Sequence, residues 1–95
     1  MSGESNKKHL NITITGRVQG VGFRASTCRK AKKIGVAGFV RNEADGSVYI
    51  EAEGTEQELN KLLQWLQHGP RFARVDNVKK EEGTTKNYAT LQIQR

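Results

Sequence analysis

Cysteine is nearly absent from this chain of 95 residues. Cys28 stands alone, so no internal disulfide can form. With only His9 and His68 as further nitrogen or sulfur ligands, no zinc-like ligand set is present, and none is expected for any other metal. Cys28 itself reads as a small reduced hydrophobe rather than a reactive thiol. Long apolar runs are also missing. No stretch approaches the roughly 20 residues of a membrane span, and Met1 to Lys8 lacks the apolar core of a secretory leader. A cytoplasmic protein with no membrane association is expected. Acidic residues are absent between Ser5 and Asn42, where every charge is basic, from Lys7 and Lys8 through Arg17, Arg24, Arg29, Lys30, Lys32 and Lys33 to Arg41. That half of the chain attracts anions, which suits a phosphorylated metabolite or a nucleic acid equally. Aromatic residues are scarce, at 6%.

What is present fits one small globular unit. Hydrophobic residues at 35% and charged residues at 27% suit a packed domain rather than a disordered segment. The length allows a single core. We expect one domain over 9–95 and a disordered, functionally silent extension over 1–8.

Residues His9 to Thr15 alternate, with Leu10, Ile12 and Ile14 on one side, the period of a half-buried strand. After a segment punctuated by Gly16, Gly20 and Gly22, a helical stripe of Phe23, Thr27, Ala31 and Ile34 runs to a stop at Gly35. Val36 to Arg41 and Ser47 to Glu53 are predicted strands joined by the turn residues Asn42-Glu-Ala-Asp-Gly46, with Val48, Ile50 and Ala52 on the buried face. The capping box Thr55-Glu-Gln-Glu58 starts a second helix bearing Leu59, Leu62, Leu63 and Leu66, closed by Gly69-Pro70. Arg74 to Glu81 and Tyr88 to Gln94 are predicted as extended, the first against a three-residue spacing of Val75 and Val78, the second with Ala89, Leu91 and Ile93 as its apolar side. The order βαββαβ with a short extra C-terminal strand, closed by right-handed crossovers, predicts an α+β ferredoxin-like sandwich. Its sheet is mainly antiparallel and both helices lie on one face.

The turn from the first strand into the first helix holds the candidate chemistry. Glycines let its backbone turn tightly and approach a ligand, the unpaired N–H groups and positive dipole end of the helix start there, and Arg24 in the first turn adds a planar cation. The Gly-Lys-Ser/Thr of an ATP-binding loop is missing. By itself the segment serves equally as a structural turn or as an anion cradle.

Gly16-Arg-Val-Gln-Gly-Val-Gly-Phe-Arg24, followed by Gly38-Phe-Val-Arg-Asn42 and Asp45-Gly-Ser-Val48, resembles the acylphosphatase family, a likeness that extends from Leu10 to about Val78. The resemblance implies the same sandwich and hydrolysis of acyl phosphates without metal or cofactor. Inorganic phosphate is then the product and a competitive inhibitor, and a monomer is expected. It also implies that Arg24 binds the phosphoryl group, that Asn42 positions the attacking water, and that Gln19, Gly20, Val21, Gly22 and Phe23 supply cradle amides.

Elementary chemistry agrees with so small a set of residues. A carboxylate leaving group with a pKa of about 4 departs without a general acid. What remains is to neutralise the phosphoryl oxygens and to aim a water at phosphorus. Ser26 and Thr27 have no histidine nearby in sequence and read as structural. Arg17 reads as a solvated or steering charge, and His9 and His68 as surface or strand-end residues. The competing class is a basic ferredoxin-like module that binds nucleic acid, disfavoured because Trp65, Phe39 and Phe72 read as core or loop anchors and no aromatic-rich RNA signature appears.

Overall fold

The computed structural model describes residues 7–94; residues 1–6, most of the expected disordered extension, lie outside the described residues. Five strands and two helices follow in the order β1 (Lys8–Arg17), α1 (Phe23–Ile34), β2 (Ala37–Asn42), β3 (Val48–Gly54), α2 (Glu56–Leu66), β4 (Arg74–Gly83) and β5 (Leu91–Gln94). The sheet order is β4-β1-β3-β2-β5. All neighbours are antiparallel except β2 and β5. The fold is the expected ferredoxin-like α+β sandwich.

Alternation in the strands and the helical stripes meet in one core. Ile12 and Ile14 of β1, Val40 of β2 and Val48, Ile50 and Ala52 of β3 are buried with Phe23 and Ala31 of α1 and with Leu59, Leu62, Leu63 and Leu66 of α2. The capping box of α2 is formed on both sides: Glu58 N–H donates to the Thr55 hydroxyl at 3.2 Å, and Thr55 N–H donates to the Glu58 carboxylate at 2.9 Å. Gly38 sits where β2 presses on β3. At φ 138 a side chain there would be strained, and its Cβ would run into the Glu51 carbonyl.

Several boundaries differ from expectation. β1 opens at Lys8 and continues to Arg17. β4 is a full strand, and the odd spacing of its valines has a simple cause. The register slips at Thr15/Gly16, with Thr15 opposite Asn77 and Gly16 opposite Val75. Asp76 is the extra residue of a bulge, and so Val75 and Val78 both face the core. β5 begins at Leu91, not Tyr88. Leu91 is buried, but Ala89 is exposed and Ile93 keeps 44% of its surface, so no continuous apolar side exists.

His9, expected at the surface or at a strand end, is the second residue of β1 but is only 2% exposed. It lies on the sheet face opposite the helices, where β1 and β3 present His9, Glu51 and Glu53 side by side. His9 Nδ1 is 2.7 Å from Glu53 Oε2, and Nε2 is 2.8 Å from Asn11 Oδ1 and 3.2 Å from Glu51 Oε1. Burial pushes the Glu53 carboxyl up, but the N–H groups of Lys86 and Tyr88 and the His9 ring outweigh it and hold the group below its ordinary range. Glu51 is likewise held down despite burial, by the Tyr49 and Tyr88 hydroxyls and the Lys86 ammonium. Tyr49, half-buried and donating to Glu51, is pushed up to about 12, chiefly by loss of solvent.

Carboxyls depressed in the folded state bind fewer protons there than in the unfolded chain. The stability they add is complete above the unfolded value of about 4.3 and is lost as pH falls through the lower folded values. Thermal melting should therefore hold steady from neutral pH to about 5 and fall as pH is lowered toward 3. Glu53→Gln should melt lower at neutral pH and lose less on acidification. A melting temperature unchanged down to pH 3 would refute the assignment.

Candidate functional site

Between β1 and α1 the chain turns through Gly20 at φ 76 and Gly22 at φ 77, left-handed conformations costly for other residues. Val21 between them keeps a negative φ, and alternation of this kind aims successive N–H groups into one concavity. Gly22 is the N-cap of α1 and contributes no side chain to satisfy the first turn. Among the described residues, no protein acceptor takes the N–H groups of Gly20 to Arg24. The turn therefore presents free donors at the positive end of a helix dipole.

Those donors border an open cleft of about 340 Å³ lined by Val18, Gly20, Gly22, Phe23, Arg24, Ala25, Asn42 and Ile93. Arg24, second residue of α1, is half-buried, and its Nη1 donates to the Gln94 carbonyl at 3.1 Å. Among the described residues, none accepts from the four further N–H donors of its guanidinium, which can face an anion. Asn42 enters from the last position of β2, paired with Val48 of β3. Among the described residues no group takes its side-chain amide. Phe23, 2% exposed, seats the helix start on the core and stacks obliquely on Trp65 at 6.0 Å.

The structure thus brings Arg24, Asn42, Gly20, Gly22 and Phe23 to one cleft. Two other expected cradle residues turn their side chains elsewhere. Val21 packs partly buried against the core. Gln19 reaches across to the β2–β3 hairpin, where its Nε2 donates to the Glu43 carbonyl at 2.8 Å and to the Ser47 carbonyl at 2.9 Å. The hairpin is itself held by Asp45, whose Oδ1 accepts from Ser47 N–H at 2.9 Å and from the Ser47 hydroxyl at 2.6 Å, bonds that lower the Asp45 pKa. Gln19 therefore joins the glycine turn to the loop that follows Asn42.

Ala25 and Ile93 were not anticipated in the cleft, and Val18, inside the motif from Gly16 to Arg24, was not singled out. Ala25 directly follows the motif and could have been taken with it. Ile93 gave no signal, because its presence depends on β5 lying parallel to β2. Arg17 is exposed and does not line the cleft, Ser26 bonds Arg29, and Thr27 is buried in the core. Among the described residues, no three His, Cys, Asp or Glu side chains are grouped to hold a metal ion. Among the described residues, no helix is long and apolar enough to cross a membrane.

A family model described as acylphosphatase matches residues 10–93. The chain is 53% identical over 72 residues to an acylphosphatase of Salinibacter ruber, 76% of either protein. It is 49% identical over 86 residues to an acylphosphatase of Thermotoga maritima, a span covering 90% of this chain and 96% of that one. Among solved structures, an acylphosphatase from Coxiella burnetii superposes with a TM-score of 0.92 at 35% identity, over 96% of each chain.

The Gln19 bridge can be tested by two substitutions of similar size. Gln19→Leu removes two donors and should cost about 1–2 kcal/mol of unfolding free energy. Gln19→Glu also sets a negative charge against two carbonyl oxygens and should cost more. Urea denaturation checks both, and equal stability of the glutamate variant and the parent would show that the bridge holds nothing.

Proposed function

The chain belongs to the acylphosphatase family, and on that premise we propose a division of labour for its cleft. Arg24 and the backbone amides from Gln19 to Phe23 hold the phosphoryl group of an acyl phosphate, while Asn42 aims a water at its phosphorus. The observation that carries this proposal is the meeting of Arg24, Asn42 and the unclaimed N–H groups of the glycine turn in one cleft.

Phosphoryl transfer asks little covalent work of a protein. Charge must be stabilised on the equatorial oxygens, and nucleophile and leaving group must stand in line. Arg24 supplies a two-pronged cation and the turn supplies fixed dipoles, so the stabilising field exists before substrate arrives. Water oxygen bonds to phosphorus as the bond from phosphorus to the acyl oxygen breaks, and the carboxylate departs with the electron pair. The carboxylate needs no proton at a pKa of about 4. Each water proton passes to the phosphate being formed, since among the described residues no carboxylate or imidazole lines the cleft to take it. Asn42 can accept from the water through Oδ1 and donate through Nδ2, which fixes its direction without adding negative charge beside the phosphate.

Product phosphate presents the same oxygens as substrate and competes for the same donors. A monomer suffices, since every residue invoked comes from one chain. The basic first half of the chain attracts anions to the surface that carries Arg24. The rival view, a sheet face open to stacked nucleotide bases, meets an obstacle: Phe39 on that face is 8% exposed and is covered by Tyr88 and Tyr49.

Hydrolysis of an aromatic acyl phosphate should persist in excess EDTA, measured as phosphate release. Loss on chelation with recovery on adding magnesium or zinc would overturn metal independence. Arg24→Ala should cut turnover by about 10² or more and weaken phosphate inhibition, and Arg24→Lys should restore little because a point charge lacks the fork. Near-normal phosphate affinity in a folded Arg24→Ala protein would remove Arg24 from the site.

Asn42→Ala should lower kcat strongly and leave inhibition by phosphate almost unchanged, because the cradle stays intact. Asn42→Asp should lose both turnover and phosphate affinity at neutral pH, since a carboxylate there repels the phosphoryl group. Wild-type turnover in Asn42→Ala would return Asn42 to a turn residue. Higher turnover in Asn42→Asp would point to a missing general base.

A further inference from the structure

We propose that Glu53, on the sheet face opposite the helices, is a positioning residue for Arg24, acting through the chain segment that carries β5 to the cleft. The proposal rests on Arg24 being the phosphate ligand.

β4 and β5 lie at opposite edges of the sheet, four strand intervals apart. At about 4.8 Å per interval the connection must cross about 19 Å. The eight steps from Gly83 to Leu91, fully extended, reach about 26–29 Å, so the segment is short for its crossing. The segment forms neither helix nor strand, and only Tyr88 within it is even partly buried. Left to itself, such a strap has little to fix where it delivers the chain.

Glu53 supplies the fixing. Its carboxylate, 1% exposed at the middle of the crossing, accepts the N–H groups of both Lys86 and Tyr88, the latter at 3.1 Å. Two amides two positions apart reach one carboxylate because Asn87 between them is at φ 60, the only residue other than glycine with positive φ among the described residues. Asparagine tolerates that conformation better than most. Glu51 adds a second fastening: its Oε1 accepts from the Tyr88 hydroxyl at 2.9 Å and from Lys86 Nζ at 3.2 Å. His9 holds Glu53 from beneath through Nδ1 at 2.7 Å.

Beyond this point the chain enters β5, a four-residue edge strand of which only Leu91 is buried. Thr90 accepts from Gly38 N–H at 3.1 Å, and pairing with β2 runs from Leu91 to Gln94. At its end the Gln94 carbonyl takes one N–H of Arg24 while Ile93 lines the cleft. A shift of the strap therefore moves the carbonyl that orients the guanidinium. Glu51, Glu53 and residues 84–90 do not line the cleft, so Glu53 acts on the reaction through where it delivers β5 and, by the Gln94 carbonyl, through Arg24.

The test is a double-mutant cycle on the full chain, with inorganic phosphate as the probe, read by competitive inhibition of acyl phosphate hydrolysis and by isothermal titration. Glu53→Gln keeps the shape of the side chain but turns a donor toward one of the strap amides. It should weaken phosphate binding about tenfold and raise KM in parallel, as expected when a binding group is displaced rather than removed. In an Arg24→Ala background the same substitution should change phosphate affinity less than twofold. An equal loss in both backgrounds, or no loss in the parent, overturns the proposal. Unchanged phosphate affinity in Arg24→Ala alone overturns instead the assignment of Arg24 on which it rests. Tyr88→Phe, which removes one tie from the strap and leaves the core intact, provides a second cycle should Glu53→Gln fail to fold. It should weaken phosphate binding about threefold in the parent and not in Arg24→Ala, and a parent affinity that does not move counts against the strap.

Discussion

The bridge from Gln19 to the carbonyls of Glu43 and Ser47 joins the two halves of the cleft. The glycine turn and Arg24 belong to one loop and helix, and Asn42 belongs to a hairpin elsewhere in the sequence. Their separate supports are strong: α1 is seated through Phe23, and β2 is locked to β3 through Gly38. Neither support sets the distance between the free N–H groups of the glycine turn and the Asn42 side chain. One side chain that spends both N–H groups of a single nitrogen on the hairpin does so, and phosphoryl transfer is sensitive to that distance.

Around the cleft, polar and apolar restraints divide the work. The helix side of the sheet is held by aliphatic packing, which sets element positions broadly. The opposite side is held by His9, Glu51, Glu53, Tyr49 and Tyr88, whose bonds have direction and specific partners. A buried carboxylate with several donors fixes geometry more tightly than packing does, and leaving it unpaired is costly. That face anchors the strap, and the strap carries β5 to Arg24. The carboxylates of Glu51 and Glu53 are thus put to use on the sheet face opposite the helices, outside the cleft lining.

Much of the fold was legible because its signals are local. The alternation of Leu10, Ile12 and Ile14, the leucine stripe of α2 and its capping box each act within a few residues, and the handedness of crossovers did the rest. The motif carrying Arg24 and Asn42 was visible for the same reason. Long-range pairing was not. The spacing of Val75 and Val78 looked wrong for a strand until the bulge at Asp76 accounted for it. Nothing in the order of residues announced that β5 would join β2, that Ile93 would reach the cleft, or that Tyr88 would belong to a strap rather than a strand. His9 looked superficial because its partners lie more than forty positions away, at Glu51 and Glu53.

The central claim is that the cleft holds the phosphoryl group and directs water to phosphorus, not to the acyl carbon. Both routes give the same products, but they break different bonds. Hydrolysis of an acyl phosphate in water enriched with ¹⁸O, followed by mass spectrometry of both products under single-turnover conditions, separates them. Label in the phosphate and none in the carboxylate is the expected result. Label in the carboxylate would mean that water attacks the carbonyl, and that the roles of Arg24 and Asn42 set out above are wrong.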